Sequence, residues 1–144
     1  MDEKTTTNER PASAAPPPTL GVGAIVMRDG NLLMVRRARE PARGLWSIPG
    51  GKVERSEYLA QAVRREVREE TGLEVEVGDF AGFFEVIGDD VHYVVMDFLA
   101  TCSGEDEPHA GDDVDRVRWV PLEEIPSLDC TPRFIELLTA WGVL

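Results

Sequence analysis

Three glutamates, Glu66, Glu69 and Glu70, lie at positions i, i+3 and i+4 of the run REVREETG that begins at Arg65. The residues around them have a helical period. Wound as a helix over 57–71, at about 100° per residue, Leu59, Ala62, Val63 and Val67 fall on one side, the stripe an amphipathic helix packs on a core. Glu66 and Glu70 share that sector, and Glu69 borders it beside Ala62. Gln61, Arg64 and Arg68 take the opposite, solvent side. Three carboxylates therefore meet at the edge of a buried face, where they repel one another and resist desolvation. A hard divalent cation such as Mg²⁺ resolves that conflict, because it takes carboxylate oxygens and also gathers phosphate groups.

A solvated, ion-paired helix face is the plainer explanation for alternating Glu and Arg. It does not explain why the acids coincide with Leu59, Val63 and Val67. Nor does it explain the wider spacing: Gly51, five residues, Glu57, seven residues, Arg65-Glu66-Val67, one residue, Glu69-Glu70, one residue, Gly72-Leu73. This run resembles the Nudix box, G-x5-E-x7-R-E-U-x-E-E-x-G-U with U aliphatic, at every defined position. The lead-in 45–51, LWSIPGG, is similar to the strand and loop that enter the box in that family. Ser56 departs from the glycine many members carry before the first box glutamate, without removing a ligand.

The resemblance implies an α/β fold, an α/β/α sandwich with a mixed sheet between helices. It implies a Mg²⁺-dependent hydrolase of diphosphate bonds, with Mn²⁺ able to substitute, in which water attacks a phosphorus polarised by metal. By family position Glu66, Glu69 and Glu70 are metal ligands, joined by the backbone carbonyl of Gly50. Glu66 doubles as the water-orienting base, a role that varies within the family. Arg65 pairs with a neighbouring glutamate and holds its rotamer. Its plainer alternative is a surface ion pair. Glu57 orients Arg65 or approaches the metal indirectly, the alternative being a carboxylate favoured by the helix dipole. A further acid from a later loop completes the set. Asp113, next to Asp112, has the position for it, although Gly111-Asp112-Asp113 also reads as a turn. Glu54 is a further acid near the metal.

Phosphate contacts fall to the basic island Arg36, Arg37, Arg39 and Arg43, since guanidinium forks fit phosphate oxygens. Arg36 and Arg43 are the choices there, with Lys52 inside the box, and Glu57 joins them in the expected substrate-binding set. Trp46, Phe83, Phe84 and Tyr93 offer stacking surfaces, although strand aromatics more often fill cores. His92 reads as a strand-end surface residue.

These side chains need a scaffold, and the rest of the chain supplies one. Residues 1–18 are polar and then Ala- and Pro-rich, a composition that reads as a disordered leader before a domain over 19–144. Runs 21–28 and 32–36 flank Asp29-Gly30-Asn31, a hairpin signal. A short strand over 46–48 ends at Pro49-Gly50-Gly51. The helix follows, stopped by Gly72. Strands are expected over 75–77, 80–87, 92–101 and 114–120, with an acidic loop over 103–113. A helical turn over 122–125 and a helix over 132–141 close the chain.

The 144 residues suffice for one domain with a real core. With 27 Asp and Glu against 15 Lys and Arg, the net charge of −12 argues against nucleic-acid or anionic-membrane partners. No apolar run is long enough to span a bilayer, and MDEKTTTNER lacks the apolar segment of a secretory signal. Cys102 and Cys130 have no metal-type spacing and read as thiols in a reducing cytosol. The expected setting is cytoplasmic, and the expected partner a small nucleotide diphosphate. Many members of the family are homodimers, and the sequence neither requires nor forbids one.

Substrate is less legible. The length and lead-in resemble both ADP-ribose or nucleotide-sugar pyrophosphatases and MutT-like enzymes that clear oxidised nucleoside triphosphates. The proline marking some ADP-ribose members is absent, with Ile87, Gly88 and Asp89 in that stretch. Tyr93 lies too far on to be the tyrosine of some dinucleoside-polyphosphate members. A non-catalytic nucleotide sensor is the alternative of another class. Such modules usually lose box glutamates, and this chain keeps them all.

Overall fold

In the computed structural model, which describes residues 16–144, the longest apolar run becomes the central strand. Strand β1 (Thr19–Arg28) is flanked on both sides, so its residues from Gly21 to Val26 are all buried. It turns through Asp29 and Gly30, both at positive φ, into β2 (Asn31–Arg37). The register Met27↔Leu32 and Arg28↔Asn31 is that of a two-residue hairpin.

Away from the turn the two strands part and take different neighbours. β2 runs antiparallel to β7 (Val114–Pro121) along its length, and touches the short β3 (Trp46–Ser47). β1 runs parallel to β6 (His92–Thr101), from Thr19↔Tyr93 to Val26↔Ala100. On its other side, at Gly21–Gly23, β1 receives β4 (Gly50–Lys52). The antiparallel β5 (Glu76–Ile87) completes the sheet outside β6. The sheet is therefore mixed, and it opens where β1 and β2 separate. Pro49 enters that opening and its carbonyl accepts the Ala24 amide at 2.9 Å.

Helix α1 (Leu59–Thr71) covers one face. Ala62, Val63 and Val67 pack there on Val22, Ala24, Val26 and Leu33. Helix α2 (Phe134–Ala140) covers the other, where Phe134 and Leu138 meet Ile25, Leu32 and Met34. Alternation along β1 and β2 feeds both cores. This is the expected α/β/α sandwich.

Several boundaries differ from expectation. α1 starts at Leu59 rather than 57, because Tyr58 is the extended entry residue and its amide donates to Gln61 Oε1 at 2.8 Å. Gly72 ends it as expected, at φ 76°. The glycines after Pro49 do not simply end β3; they form β4, held by pairing with β1. The strands expected over 75–77 and 80–87 are one strand, β5, with register shifts between Val77 and Phe80 and between Phe80 and Gly82. Residues 122–127 form a 3-10 helix. Of the expected leader, 1–15 lies outside the described residues, and Pro16 to Pro18 are exposed without regular structure. Cys102 and Cys130 are free thiols. Among the described residues no helix is long and apolar enough to cross a membrane.

Candidate active site

Arg65 organises the first turns of α1. Its Nε and Nη2 donate to the two oxygens of Glu57 at 2.7 and 3.0 Å, a two-pronged pair. Nη1 donates to Glu66 Oε2 at 2.8 Å and Glu69 Oε1 at 3.2 Å, and Nη2 also reaches the Lys52 carbonyl at 2.9 Å. One guanidinium thus fastens the helix to β4 and sets the rotamers of two of the expected metal ligands. The hydrogen bonds from Arg65, then the Glu54 amide, hold the Glu57 carboxyl down at about 2. The same bonds raise the Arg65 pKa above its ordinary value. Glu57 is therefore a buttress for Arg65, and it does not line the cleft described below.

Glu66 lies against the bare backbone of Gly51, where a Cβ would collide with its carboxyl. Burial raises its pKa, the Arg65 bond opposes that, and the charges of Glu69 and Asp113 add to it. Glu70 is the most buried acid of the helix cluster. Its Oε1 accepts the Gly50 amide at 3.1 Å. Burial lifts its pKa to about 8, helped by Glu66 and Asp113 and opposed by that amide and by Arg37. A Cβ on Gly50 would in turn strike the Val22 carbonyl, so glycine at 50 and 51 is what lets β4 slide between β1 and α1.

The acidic loop is fastened to the end of the same helix. The His109 amide donates to the Thr71 carbonyl at 2.9 Å, and the Gly111 amide to the Glu70 carbonyl at 3.0 Å. Gly111 sits so close to the Glu69 carbonyl that no side chain fits there. This delivers Asp113 to the cluster. Its carbonyl accepts the Ala38 amide at 3.1 Å, and its carboxylate lies 3.6 Å from Arg39 Nε.

Glu66, Glu69, Glu70, Gly50 and Asp113 all belong to this corner, and all line a cleft of about 1210 Å³ except that Gly50 does so with its backbone alone. Among the described residues no three acidic, histidine or cysteine side chains already form a metal cage. Arg65 engages Glu66 and Glu69, and Gly50 engages Glu70 through its amide. The donor set nonetheless suits a hard dication: every donor is an oxygen, and the buried acids are ones whose ionisation needs added positive charge.

The cleft also sorts the basic residues. Arg37, Arg39 and Lys52 line it, whereas Arg36 and Arg43 do not. Arg36 turns to Asp115 Oδ1 at 2.7 Å, on the far face of β2 from Arg37. Arg43 is exposed in the turn before Gly44. Strand alternation separates Arg36 from Arg37, which the basic island treated as one set. Glu54 lines the cleft and lies 3.8 Å from Arg65 Nη1. Of the aromatics, Phe84 and Tyr93 line it, Trp46 is in the core and Phe83 points out to solvent. His92 is exposed at a strand end.

Asp97 and Trp141 are among the lining residues that escape the sequence reading. Asp97 is 4% exposed on β6, and burial pushes its carboxyl up to about 7. The available signal was a lone acid inside the apolar run YVVMDFLA.

An α/β/α sandwich with a glutamate-bearing helix closing on a glycine loop defines a Nudix hydrolase. The NUDIX domain model matches residues 17–141, and the chain belongs to that family, whose enzymes hydrolyse diphosphate bonds and generally use divalent metals. The CTP pyrophosphohydrolase of Escherichia coli is 36% identical over 129 residues, covering 85% of this chain and 90% of that protein. The ADP-ribose pyrophosphatase of Methanocaldococcus jannaschii is 33% identical over 113 residues, covering 77% of this chain and 66% of that protein. The crystal structure of a MutT Nudix hydrolase from Burkholderia pseudomallei matches with a TM-score of 0.77 at 32% identity. That match covers 86% of this chain and 98% of the other.

Proposed function

We propose that this chain is a Mg²⁺-dependent pyrophosphohydrolase of a nucleoside diphosphate linked to a second group, of the ADP-ribose or nucleotide-sugar kind. The observation that carries the reading is that Glu66, Glu69, Glu70 and Asp113 line the same cleft as a set of apolar side chains, Val35, Ile48, Phe84 and Val95 among them. A phosphate chain suits the acids through metal, and a nucleoside suits the apolar side chains. The volume is ample for such a ligand.

Glu66, Glu69 and Glu70, with the Gly50 carbonyl and Asp113, would hold the metal. Bound there, Mg²⁺ supplies charge neutralisation of the phosphate oxygens and a lower pKa for the attacking water. Lys52, Arg37 and Arg39 meet the outer phosphate oxygens from the rim. Arg65 keeps Glu66 and Glu69 in place throughout, and Glu66 orients the water. The water oxygen bonds to one phosphorus as its proton passes to Glu66, the bridging P–O bond breaks, and the second phosphate leaves with the electron pair.

A nucleoside triphosphate is the second reading, supported by the nearly full-length likeness to a CTP pyrophosphohydrolase. Product analysis separates the two. The purified chain with Mg²⁺ is offered ADP-ribose, nucleotide sugars, ordinary and 8-oxo nucleoside triphosphates and dinucleoside polyphosphates, beside Glu69→Gln and Glu70→Gln controls. Two monophosphate products from a linked diphosphate, lost in both variants, support the first reading. Inorganic pyrophosphate from a triphosphate supports the second. Absence of turnover on the whole panel would overturn both and favour a sensor.

A further inference from the structure

Asp97 is a buried acid that the hydrolytic step does not use. It has no hydrogen-bond or ion-pair partner among the described residues, although it is only 4% exposed. Buried carboxyl groups are normally satisfied, so an unpartnered one facing a cleft calls for an external partner.

The sheet is built to leave this group open. In register across three strands stand Gly23 of β1, Asp97 of β6 and Gly82 of β5. Neither flanking residue has a side chain to cover the acid. A Cβ on Gly23 would collide with Asp97 Oδ1, and one on Gly82 would collide with the Trp141 indole. The aspartate therefore lies on a bare strip of backbone, with the Trp141 ring standing beside it. The adjoining row is Val95 and Phe84, which together with Ile48 make the surroundings apolar.

Asp97 is also separate from the metal corner. Burial alone accounts for its raised pKa, with no share from Glu66, Glu70 or Asp113. It lies on the α2 face of β6, whereas Glu66 lies on the α1 face, against Gly51.

A flat ring slid between the Trp141 side and the Val95 and Phe84 floor would bring one edge to this carboxyl. Ionised, the carboxylate offers only acceptor oxygens to the cleft, which an amino N–H satisfies and a base carbonyl repels. We propose that Asp97 is a specificity residue that receives the exocyclic amino group of a nucleobase, selecting adenine over hypoxanthine or cytosine over uracil. The assignment rests on the nucleotide-hydrolase reading, deepening it from a diphosphate to the base that carries it.

The test is equilibrium binding of matched mononucleotides, CMP against UMP and AMP against IMP, to the full chain in Mg²⁺. Binding needs no turnover, so it is read separately from the hydrolysis panel. In at least one pair the amino member should bind about tenfold more tightly or better, the worth of a hydrogen bond to a charged acceptor. Asp97→Ala should bring that pair to near equality, through loss of affinity for the amino member. Asp97→Asn keeps the shape and should narrow the ratio, because an amide can face a carbonyl as readily as an amine; its melting curve controls for folding. Equal affinities within both pairs for the wild-type chain overturn the assignment, as does a ratio that survives both substitutions. Failure to bind any mononucleotide overturns it too. A panel that fails while the paired affinities differ would instead remove the hydrolase reading and leave Asp97 its role.

Discussion

Replacing Glu70 by glutamine should make the metal-free protein more stable, and increasingly so as the pH rises. The Glu70 carboxyl ionises at about 8 in the folded chain against an ordinary value of 4.5. Between those values the native state keeps a proton that the unfolded chain has released, so wild-type stability falls as pH climbs through this window. At pH 7 the accumulated cost is about 3 kcal/mol. Glutamine keeps an oxygen for the Gly50 amide and carries no charge, so it escapes that cost. Urea denaturation in a chelator at about pH 5 and about pH 7 reads the difference, and the gap between the two proteins should widen by about 1–2 M in midpoint. Glu66 and Asp97 shift in the same direction but are present in both proteins and largely cancel. Saturating Mg²⁺ should close the gap, because it stabilises the ionised wild-type site. A stability difference that stays constant from acid to neutral pH would refute the account of Glu70 as a carboxyl held neutral by burial.

Other consequences are smaller but equally specific. Arg65→Lys loses the forked contact to Glu57 and the shared bonds to Glu66 and Glu69. Turnover should fall about 10–100-fold with the fold intact by circular dichroism. Gly51→Ala places a methyl group in the Glu66 carboxyl, so Mg²⁺ affinity by titration calorimetry should weaken about tenfold or more. Leu138→Ala empties a side chain that is 1% exposed beneath α2, and should cost about 2–5 kcal/mol in denaturant unfolding while Mg²⁺ binding persists.

Local signals account for what the sequence made readable. Asp29-Gly30 carries its own turn chemistry, and α1 its own 3.6-residue period, ending at a glycine suited to positive φ. The ordering of Glu66 and Glu70 on the buried edge followed from that period alone. What was hidden depends on distant partners. Gly50 to Lys52 has no side-chain alternation to mark a strand, and becomes β4 only because β1 leaves room for it. Arg36 and Arg37 differ by one residue and thus by one face, which a count of basic residues does not register. Asp97 was submerged in an apolar run, and its meaning comes from the glycines of two other strands.

The two hydrogen bonds donated by His109 and Gly111 to the last turn of α1 divide that loop into unequal parts. From His109 to Asp113 the chain is pinned at fixed spacing, so a residue gained or lost there would pull Asp113 away from the glutamates. Between β6 and His109 the tie is a side-chain one at the surface, Arg28 Nη1 donating to the Asp106 carbonyl at 3.2 Å; Gly104 has open space around it, and Glu105 to Glu107 are exposed. Extra length there costs only slowly growing loop-closure entropy. This is the stretch where a tag or a short inserted domain can be accommodated without disturbing the acidic corner.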